Sequence, residues 1–492
     1  MTTPDSGAWL SEKERRRLTR RPSDRAMIAT LAATGLIAAF MQTLVTPVIP
    51  MLPELLDTNI ADAQWVLTST LLAAAISTPI SGRLGDMYGK RRAALALIMI
   101  MVFGSIVSAL SVTLIPMIIG RTLQGIGLGL IALGISILRD VVHPRRLAAA
   151  VALVSATLGV GGAVGLPVAA FVAQNFDWHY LFWLSTLLGI VAFVLVLTII
   201  PVSTLRTAGR FDFPGALAFA VGLVGVLLPI SKGSEWGWGS PLTLSLLIGG
   251  VLVLIGWGFF ELHTKDPLID LRVTARRPVL FTNLASVSVG FAFFITAGAL
   301  PVLLEAPTTT GVGLGTSLIV ASLVLMPNGI VMFLVSPIAA KLSTARGPRT
   351  SLILGGAVIA VAFALSLVLM DEIWHIAIIS VLIGVGVGFA YAAMPTLIMH
   401  SVPPTETGAA NGLNSVMRTL GSTASATLIG IILSSNVTVS GGVEIPTAHA
   451  FQLIFIIGAA VSLAGVILAL FIPSRVRRYE DTASIPIQTP LG

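Results

Sequence analysis

Residues 82–92 read Gly82-Arg83-Leu84-Gly85-Asp86-Met87-Tyr88-Gly89-Lys90-Arg91-Arg92, a dense charged island between two long apolar runs. Four of these residues are basic, and such a cluster does not enter hydrocarbon cheaply. We therefore expect the island to be a short loop in water between two membrane spans. Gly85 and Gly89 permit a tight turn with positive backbone dihedrals, so the loop is predicted to be bent as well as basic.

The composition of the 492-residue chain indicates that a lipid bilayer is its solvent. Hydrophobic residues make up 55% of the chain and charged residues 10%, and no single soluble core hides so much apolar surface. The net charge of +7 would suggest nucleic-acid binding in a soluble protein. The basic residues instead follow one side of a membrane, so no nucleic-acid partner is expected. Cysteine is absent, which excludes disulfides and thiol chemistry.

The apolar segments predict fourteen membrane-spanning helices, because about 20 residues at 1.5 Å each cross the hydrocarbon. The polar first 25 residues contain seven lysines and arginines and no cleavage pattern follows them, which indicates a cytoplasmic leader before an uncleaved first span. The predicted spans are 26–49, 64–82, 93–112, 114–138, 147–172, 180–200, 214–230, 242–260, 280–304, 314–336, 350–369, 373–398, 409–433 and 451–472.

The distribution of basic residues predicts the orientation. With the amino terminus inside, 26 of the 29 lysines and arginines lie inside, Lys232 lies in an outer loop, and Arg121 and Arg418 fall within spans. Loops rich in lysine and arginine stay cytoplasmic. A missed or invented span would destroy this asymmetry, so we predict a multi-pass protein of the cell membrane with both termini cytoplasmic.

An internal repeat relates the two ends of the chain. Residues 79–91 align with residues 337–349, and the glycine triplet of 125–129 aligns with that of 384–388. The second copy of the island has lost its acid. The repeat predicts two related halves, each of six helices, with an extra pair of helices between them.

The island resembles the signature of the major facilitator superfamily, Gly-x-Leu-(Ala/Gly)-Asp-x-x-Gly-(Arg/Lys)-(Arg/Lys). The matching positions are Gly82, Leu84, Asp86, Gly89, Lys90 and Arg91. The extra pair of spans, flanked by Asp212-Phe-Pro-Gly215 and by Glu261 with Pro267–Leu271, resembles the fourteen-spanner drug:proton antiporters. The resemblance implies an all-α membrane protein with a major facilitator fold of 6+2+6 helices and a binding site between the six-helix halves.

The predicted domain division follows these halves. It comprises a basic leader at 1–25, an amino-terminal bundle at 26–200, inserted helices at 201–279, a carboxy-terminal bundle at 280–472 and a cytoplasmic tail at 473–492.

The resemblance implies a conformational latch around Asp86. It places Asp86 beside the positive amino end of the thirteenth span, near Thr405–Gly408, and near Arg139 at the foot of the fourth span. This contact would hold the cytoplasmic side closed, whereas the alternative is that the island acts only as a topology signal. The predicted latch residues are Gly82, Arg83, Asp86, Gly89, Lys90, Arg91 and Arg139.

Two further motifs lie inside spans. Arg121 is costly in the fourth span unless it faces a cavity or a carboxylate, so we expect it to serve proton coupling or to donate to carbonyls of the first span. In the fifth span Gly161, Gly165 and Pro167 resemble the antiporter motif, with the proline one place late. Small residues permit close helix contact and proline introduces a kink; a tightly packed helix without directional meaning is the alternative.

Proton coupling needs a carboxylate, and the first span offers none. Many members of the family carry an aspartate there, whereas this chain reads Met41-Gln-Thr-Leu-Val-Thr-Pro-Val-Ile-Pro50. Glu305 ends the ninth span with no lysine or arginine within 27 residues on either side. It is therefore the predicted coupling site, and an ordinary solvated loop residue is the alternative.

The remaining polar residues within spans predict a substrate cavity. These residues, together with one phenylalanine of the segment 281–294, are Gln42, Gln124, Asn283, Phe294, Asn414 and Arg418. Asn414 and Arg418 are four residues apart and share one helix face. A single amide is also common packing glue between helices, and the phenylalanines would either line an apolar cavity or face lipid.

These features favour a secondary transporter that exports hydrophobic or cationic drugs in exchange for protons. The alternative is a dedicated exporter of one metabolite or lipid, with or without proton coupling. The island has Leu84 and Arg91 where a phosphate loop needs Gly and Ser or Thr, and no His-Glu-x-x-His occurs, so no enzyme, cofactor or metal is expected. The expected partners are a small-molecule substrate, protons and membrane lipids, and the expected state is a monomer.

Overall fold

The computed structural model describes residues 22–202, 206–207, 209–308, 313–440 and 443–473. Within these residues, fourteen helices are long and apolar enough to cross a membrane, which confirms the predicted number. Most of the predicted leader and nearly all of the predicted tail lie outside the described residues. The orientation and the domain division stay predictions.

The fourteen long helices are numbered in chain order. They are α1 Asp24–Thr43, α2 Trp65–Tyr88, α3 Lys90–Ala109, α4 Leu114–Gly127 with its continuation Gly129–Val141, α5 Pro144–Asn175, α6 His179–Ile199, α7 Phe213–Trp236, α8 Pro241–His263, α9 Arg277–Glu305, α10 Leu318–Arg346, α11 Pro348–Ser366, α12 Ile373–Ser401, α13 Thr407–Ser435 and α14 Ala448–Leu470.

Short elements occupy the connections. A 3-10 helix at Thr46–Met51 and short helices at Leu52–Leu55 and Ile60–Ala63 lead from α1 to α2, another short helix at Leu271–Thr274 precedes α9, and a 3-10 helix at Pro404–Glu406 precedes α13. Strand β1, Val437–Ser440, pairs antiparallel with β2, Val443–Pro446, between α13 and α14.

Side-chain caps explain several helix starts. Asp212 Oδ1 accepts the backbone N–H of Gly215 at 2.8 Å at the start of α7, and Ser240 Oγ accepts that of Thr243 at 3.2 Å at the start of α8. Such caps satisfy N–H groups that have no partner within the helix. The helix starts therefore depend on local chemistry as well as on apolar length.

The charged island is not a solvated loop, which corrects the prediction. Helix α2 continues to Tyr88 and α3 begins at Lys90, so only Gly89, with φ 106°, lies outside a helix. Gly85 is helical and lies against the side chain of Leu133. Arg83, Asp86 and Lys90 are buried. The apolar run ends at residue 82, but α2 continues beyond it because these charges find partners inside the protein.

Two helix pairs make the most extensive contacts between the two halves. Helix α2 packs against α13, and α5 packs against α10. Glycines make both approaches close, because a Cβ on Gly82 would clash with the backbone of Gly408, and a Cβ on Gly159 would lie 3.2 Å from Cα of Gly329. The inserted helix α7 packs against α8 and also contacts both α2 and α13.

Lys232 is not an outer-loop residue, which is a second correction. Helix α7 extends to Trp236 and buries Lys232, whose side chain is 1% exposed. Its Nζ lies 2.8 Å from Glu235 Oε2 and 5.2 Å from the centre of the Trp65 ring. A carboxylate and an aromatic face thus replace water around this ammonium group, so this lysine does not mark a loop.

Candidate functional site

The first candidate site is the contact between the end of α2 and the start of α13, here called the junction. Asp86 Oδ2 accepts the backbone N–H groups of Gly408 at 2.9 Å and Ala409 at 3.1 Å. These are early N–H groups of α13, which have no partner within the helix and form its positive end. Asp86 is 1% exposed. This is the placement beside the thirteenth span that the family resemblance implies.

Lys90 joins two carboxylates at the junction. Its Nζ lies 2.8 Å from Asp140 Oδ1 and 3.7 Å from Asp86 Oδ1. It also donates to the hydroxyl of Thr407 at 3.3 Å, and that hydroxyl lies 2.7 Å from Ser136 Oγ. One buried ammonium group therefore connects α2 and α3 with the end of α4 and the start of α13.

Sequence reasoning missed Asp140 and Thr207 at this site. Asp140 follows Arg139 in the last turn of α4, where an acid is unfavourable beside the helix dipole unless a cation compensates it. This unfavourable position of an acid is the sequence feature that could have indicated Asp140. Thr207 precedes α7, and its N–H donates to the carbonyl of Asp86 at 2.8 Å while its hydroxyl donates to the carbonyl of Thr405 at 2.6 Å.

The other predicted latch residues take different places. Arg139 Nη1 donates to the carbonyl of Val402, between α12 and α13, at 3.3 Å. Arg83 lines a cavity of about 120 Å³ together with Asp270 and Glu406. Arg91 donates to the carbonyl of Leu197 at the end of α6. The structure therefore brings Arg139 and Arg83 to the surroundings of the junction, but places Arg91 against a helix of the first half.

Arg121 is fully buried inside the first half. Its Nη1 donates to Gln124 Oε1 at 2.7 Å and to the carbonyl of Met41 at 3.3 Å, and its Nη2 donates to the carbonyl of Gln42 at 3.5 Å. Gln124 in turn donates to Ser105 Oγ on α3 at 2.8 Å. These contacts agree with the alternative prediction that Arg121 donates to carbonyls of the first span. Gln124 is buried between helices by the same contacts.

A second polar cluster lies between α9, α12 and α13, here called the Arg418 cluster. Asn414 Nδ2 donates to Asn283 Oδ1 at 3.0 Å and to Ser286 Oγ at 2.6 Å. Arg418 Nη1 donates to Asn414 Oδ1 at 2.6 Å, and the guanidinium carbon lies 5.1 Å from the centre of the Tyr391 ring. Tyr391 was missed, because an aromatic residue in an apolar span is usually a core residue.

The phenylalanine-rich segment of α9 packs against protein. Phe293 lies 6.1 Å from Tyr391 between ring centres, and Phe281 stacks on Phe471 at 5.3 Å. Phe291 is buried, and Phe294 is half-buried beside Gly298. Of the two open alternatives, these contacts favour an interior lining over a lipid-facing surface.

The glycines of the predicted antiporter motif serve close contact between α5 and α1. A Cβ on Gly161 would lie 2.5 Å from that of Ala39, and one on Gly165 would clash with the hydroxyl of Thr43. Pro167 lies inside the continuous helix Pro144–Asn175. The motif thus joins helices of the same half at these positions.

Glu305 is the last residue of α9 and is exposed. The following chain folds back over the helix end, where the N–H of Thr316 donates to the carbonyl of Leu304 at 2.8 Å and that of Gly315 to Ala306 at 2.9 Å. Among the described residues, no basic side chain lies within salt-bridge distance of Glu305. In the described part of the chain, Glu305 and Arg121 have no hydrogen-bond partner in common, so the structure does not bring the two predicted coupling residues together.

Comparison with known proteins identifies the family. The family model of the Major Facilitator Superfamily matches residues 31–426, with a second match to residues 283–491. The chain belongs to this superfamily. It is a multi-pass protein of the cell membrane in a family of transporters, which in general are not enzymes.

Several relatives have names connected with resistance. The chain is 26% identical to the lincomycin resistance protein LmrB of Listeria monocytogenes, over 91% of this chain and 96% of the relative. It is 25% identical to the tetracenomycin C resistance and export protein of Streptomyces glaucescens, over 83% and 76%. It is 27% identical to the putative multidrug resistance protein MdtD of Salmonella paratyphi A, over 80% and 84%.

A solved structure shares the fold. The crystal structure of the human organic anion transporter MFSD10 matches with a TM-score of 0.65 at 13% identity, and the match covers 91% of this chain and all of that one. At this identity the likeness concerns the fold alone.

Proposed function

We propose that this protein is a secondary transporter that exports drugs or similar hydrophobic small molecules from the cell in exchange for protons. The resistance and export functions in the names of the relatives support drug export. The observation that carries the proposal is the bond of the Asp86 carboxylate to the first N–H groups of α13. Transport by alternating access requires a contact between the halves that breaks and re-forms, and this contact has that position.

The junction acts as the latch of the cycle. When it is closed, Gly82 and Gly408 lie back to back, Lys90 pairs with the carboxylates of Asp86 and Asp140, and the amino end of α13 also faces Asp86. When it opens, the amino end of α13 loses its carboxylate cap and Asp86 gains water. The Asp86 carboxylate therefore has a partner in each state, the helix end in one and water in the other, and a two-state transporter needs two such states.

Proton coupling is assigned to Glu305, with Arg121 as a supporting charge. Glu305 lies at a helix rim where it reaches solvent, and no described basic group holds it ionised. Protonation from the outer side would neutralise it, and its deprotonation would accompany substrate exchange. Arg121 would hold the end of α1 in the arrangement that couples this change to the first half.

The test uses purified protein in liposomes with an imposed pH gradient and dye or drug efflux as the readout. Glu305→Gln mimics the protonated acid, so the variant should still bind substrate and exchange it down its gradient, but should lose accumulation driven by the pH gradient. Glu372→Gln, at an exposed acid preceding α12, is the matched control and should keep driven efflux. Full driven efflux by Glu305→Gln would remove Glu305 from coupling.

A dedicated exporter of a metabolite or lipid is the second candidate function. The observation in its favour is that Asp and Glu residues within the fourteen described helices all lie near helix ends, so the interior of the spans lacks a proton-binding carboxylate. Efflux that is unaffected by the pH gradient in the unmodified protein would favour this candidate over the proton antiporter.

A further inference from the structure

Arg418 is a cation in the middle of a membrane span. It lies roughly 16 Å from the first residue of α13, at 1.5 Å per residue. Every Asp and Glu of the fourteen described helices lies within three residues of a helix end, so none is at the level of Arg418. A charged residue at this depth is costly and usually serves a function.

The partners of Arg418 among the described residues are neutral. Its Nη1 donates to Asn414 Oδ1 at 2.6 Å, its Nη2 donates to Ser415 Oγ at 3.3 Å, and its guanidinium faces the ring of Tyr391, whose side chain is a further hydrogen-bond partner. No carboxylate in the described part of the chain lies within salt-bridge distance. Since a guanidinium group carries five N–H donors, these bonds do not use all of its donors, and its charge has no counter-ion among the described residues.

The surroundings hold Arg418 in a defined position. Asn414 is itself held by Asn283 and Ser286 on α9, so its carbonyl oxygen is fixed toward Arg418. Arg418 nevertheless remains half-buried rather than buried. Tyr391 and Phe293 provide an aromatic wall next to the charge. A preorganised, partly accessible guanidinium beside aromatic rings suits a ligand that combines an anionic group with an apolar body.

Arg121, which the sequence also places inside a span, differs from Arg418 in accessibility. It is fully buried and donates to two carbonyls of α1 and to Gln124. Its donors therefore serve contact between helices of the first half. Of these two arginines, Arg121 is fully buried and Arg418 keeps accessible surface.

We propose that Arg418 binds the anionic group of the transported molecule, and that the substrates are organic acids in which an aromatic or apolar body carries a carboxylate. The planar guanidinium group donates two parallel hydrogen bonds to a carboxylate, and the carboxylate of the ligand supplies the missing negative charge. A cationic drug would meet a like charge and no carboxylate in the described span interior. The inference rests on the proposed export function and narrows its substrate class away from cations.

The test uses three fluorescent probes with one aromatic body: pyrenebutyrate, pyrenebutanol and pyrenebutylamine. Binding to the purified full-length protein is measured by fluorescence anisotropy. We expect the carboxylate to bind most tightly and the ammonium probe least tightly. Arg418→Gln should weaken pyrenebutyrate binding by about tenfold, equivalent to about 1.4 kcal/mol, and change pyrenebutanol binding by less than about twofold. Arg418→Lys should lie between the two, because it keeps the charge and loses the fork.

Ser415→Ala is the matched control, because it removes a neutral bond to the same guanidinium and leaves the charge in place. It should keep the preference for the carboxylate. Equal binding of pyrenebutyrate and pyrenebutanol to the unmodified protein would overturn the proposal. Equal weakening of all three probes by Arg418→Gln would overturn it as well. If Arg418→Gln does not fold, the preference of the unmodified protein and the response of Arg418→Lys decide the question.

Efflux of the same probes from proteoliposomes separates this inference from the proposed function. Preferred efflux of pyrenebutyrate supports both. Preferred efflux of pyrenebutylamine or pyrenebutanol would keep the export function and overturn the role of Arg418. Selective binding of pyrenebutyrate without efflux of any probe would keep the anion site and count against export.

Discussion

The two copies of the internal repeat form the same corner. The α2–α3 corner turns at Gly89, with φ 106°, and the α10–α11 corner turns at Gly347, with φ 88°. Both backbones therefore need glycine at the bend. An arginine two residues later caps a helix end in each case: Arg91 donates to a carbonyl near the end of α6, and Arg349 to the carbonyl of the last residue of α14 at 2.7 Å.

The corners differ in the residue that faces the other half. Asp86 of the first corner crosses to α13. Its counterpart Thr344 donates its hydroxyl to the carbonyls of Ala340 at 3.1 Å and Lys341 at 2.9 Å, within its own helix. The glycine and the arginine thus build the corner in both halves, while the acid of the first corner bonds the opposite half, a bond that Thr344 does not make.

The largest expected effect comes from exchanging this acid. Asp86→Asn removes the charge from a buried acceptor, and hydrogen bonds to charged groups contribute about 1.5–3 kcal/mol. The closed junction should weaken accordingly, and transport should fall by roughly tenfold or more. Thr344→Asn, which introduces the same residue at the matching position of the second corner without removing a charge, should leave transport within about twofold of normal.

The state of the junction can be measured directly, because the chain contains no cysteine. Ala410→Cys provides a single label site near the start of α13, and its reaction with a membrane-impermeant maleimide should accelerate in the Asp86→Asn background. Normal transport and labelling in that background would reduce the island to a topology signal.

Substitution of the corner glycines should show what the two copies share. Gly89→Ala and Gly347→Ala each place a side chain at a positive φ, at a cost of about 1–3 kcal/mol. Both should lower the midpoint of thermal unfolding to a similar extent. Gly430→Ala, at a helical position with open space around it, is the control and should not lower the midpoint, because alanine favours a helix over glycine. A large effect at one corner only would contradict the common geometry.

A smaller effect should distinguish the corners through the inserted segment. The hydroxyl of Thr207 bonds the carbonyl of Thr405 at the first corner, and such a bond contributes about 0.5–1.5 kcal/mol. Thr207→Val removes this bond. Labelling at Ala410→Cys should increase modestly. Thr198→Val, whose hydroxyl bonds carbonyls of its own helix α6, should not change it. An equal response to both variants would show that Thr207 does not stabilise the junction.

The smallest effect is expected at the arginine caps. Arg91→Gln and Arg349→Gln remove a cation from a helix carboxyl end, worth about 0.3–1 kcal/mol, and should lower thermal stability slightly and equally. Neither should reduce transport. A transport defect confined to Arg91→Gln would return Arg91 to the latch, where the sequence motif alone placed it.

The amino-acid sequence by itself determined the number of spans and the existence of the repeat. In hydrocarbon the backbone must satisfy its own hydrogen bonds, so an apolar run of sufficient length becomes a helix whatever its neighbours are. Gly89 and its copy Gly347 could be identified from the sequence for a similar reason, because a sharp bend requires a residue that tolerates a positive φ whatever its distant neighbours are. Asp86 and Arg418 were identified as unusual because charges are rare at such positions.

The partners of these charges were decided only by the tertiary structure. Asp86 bonds a backbone group 322 residues away, and Lys90 pairs with Asp140 on a helix that no sequence spacing connects with it. The burial of Arg83, Asp86, Lys90 and Lys232 likewise depends on which helices meet, so charge was mistaken for exposure. The same holds for the neutral surroundings of Arg418: whether a buried cation finds a counter-ion is a property of the packed helices, since electrostatic compensation acts through space and not along the chain.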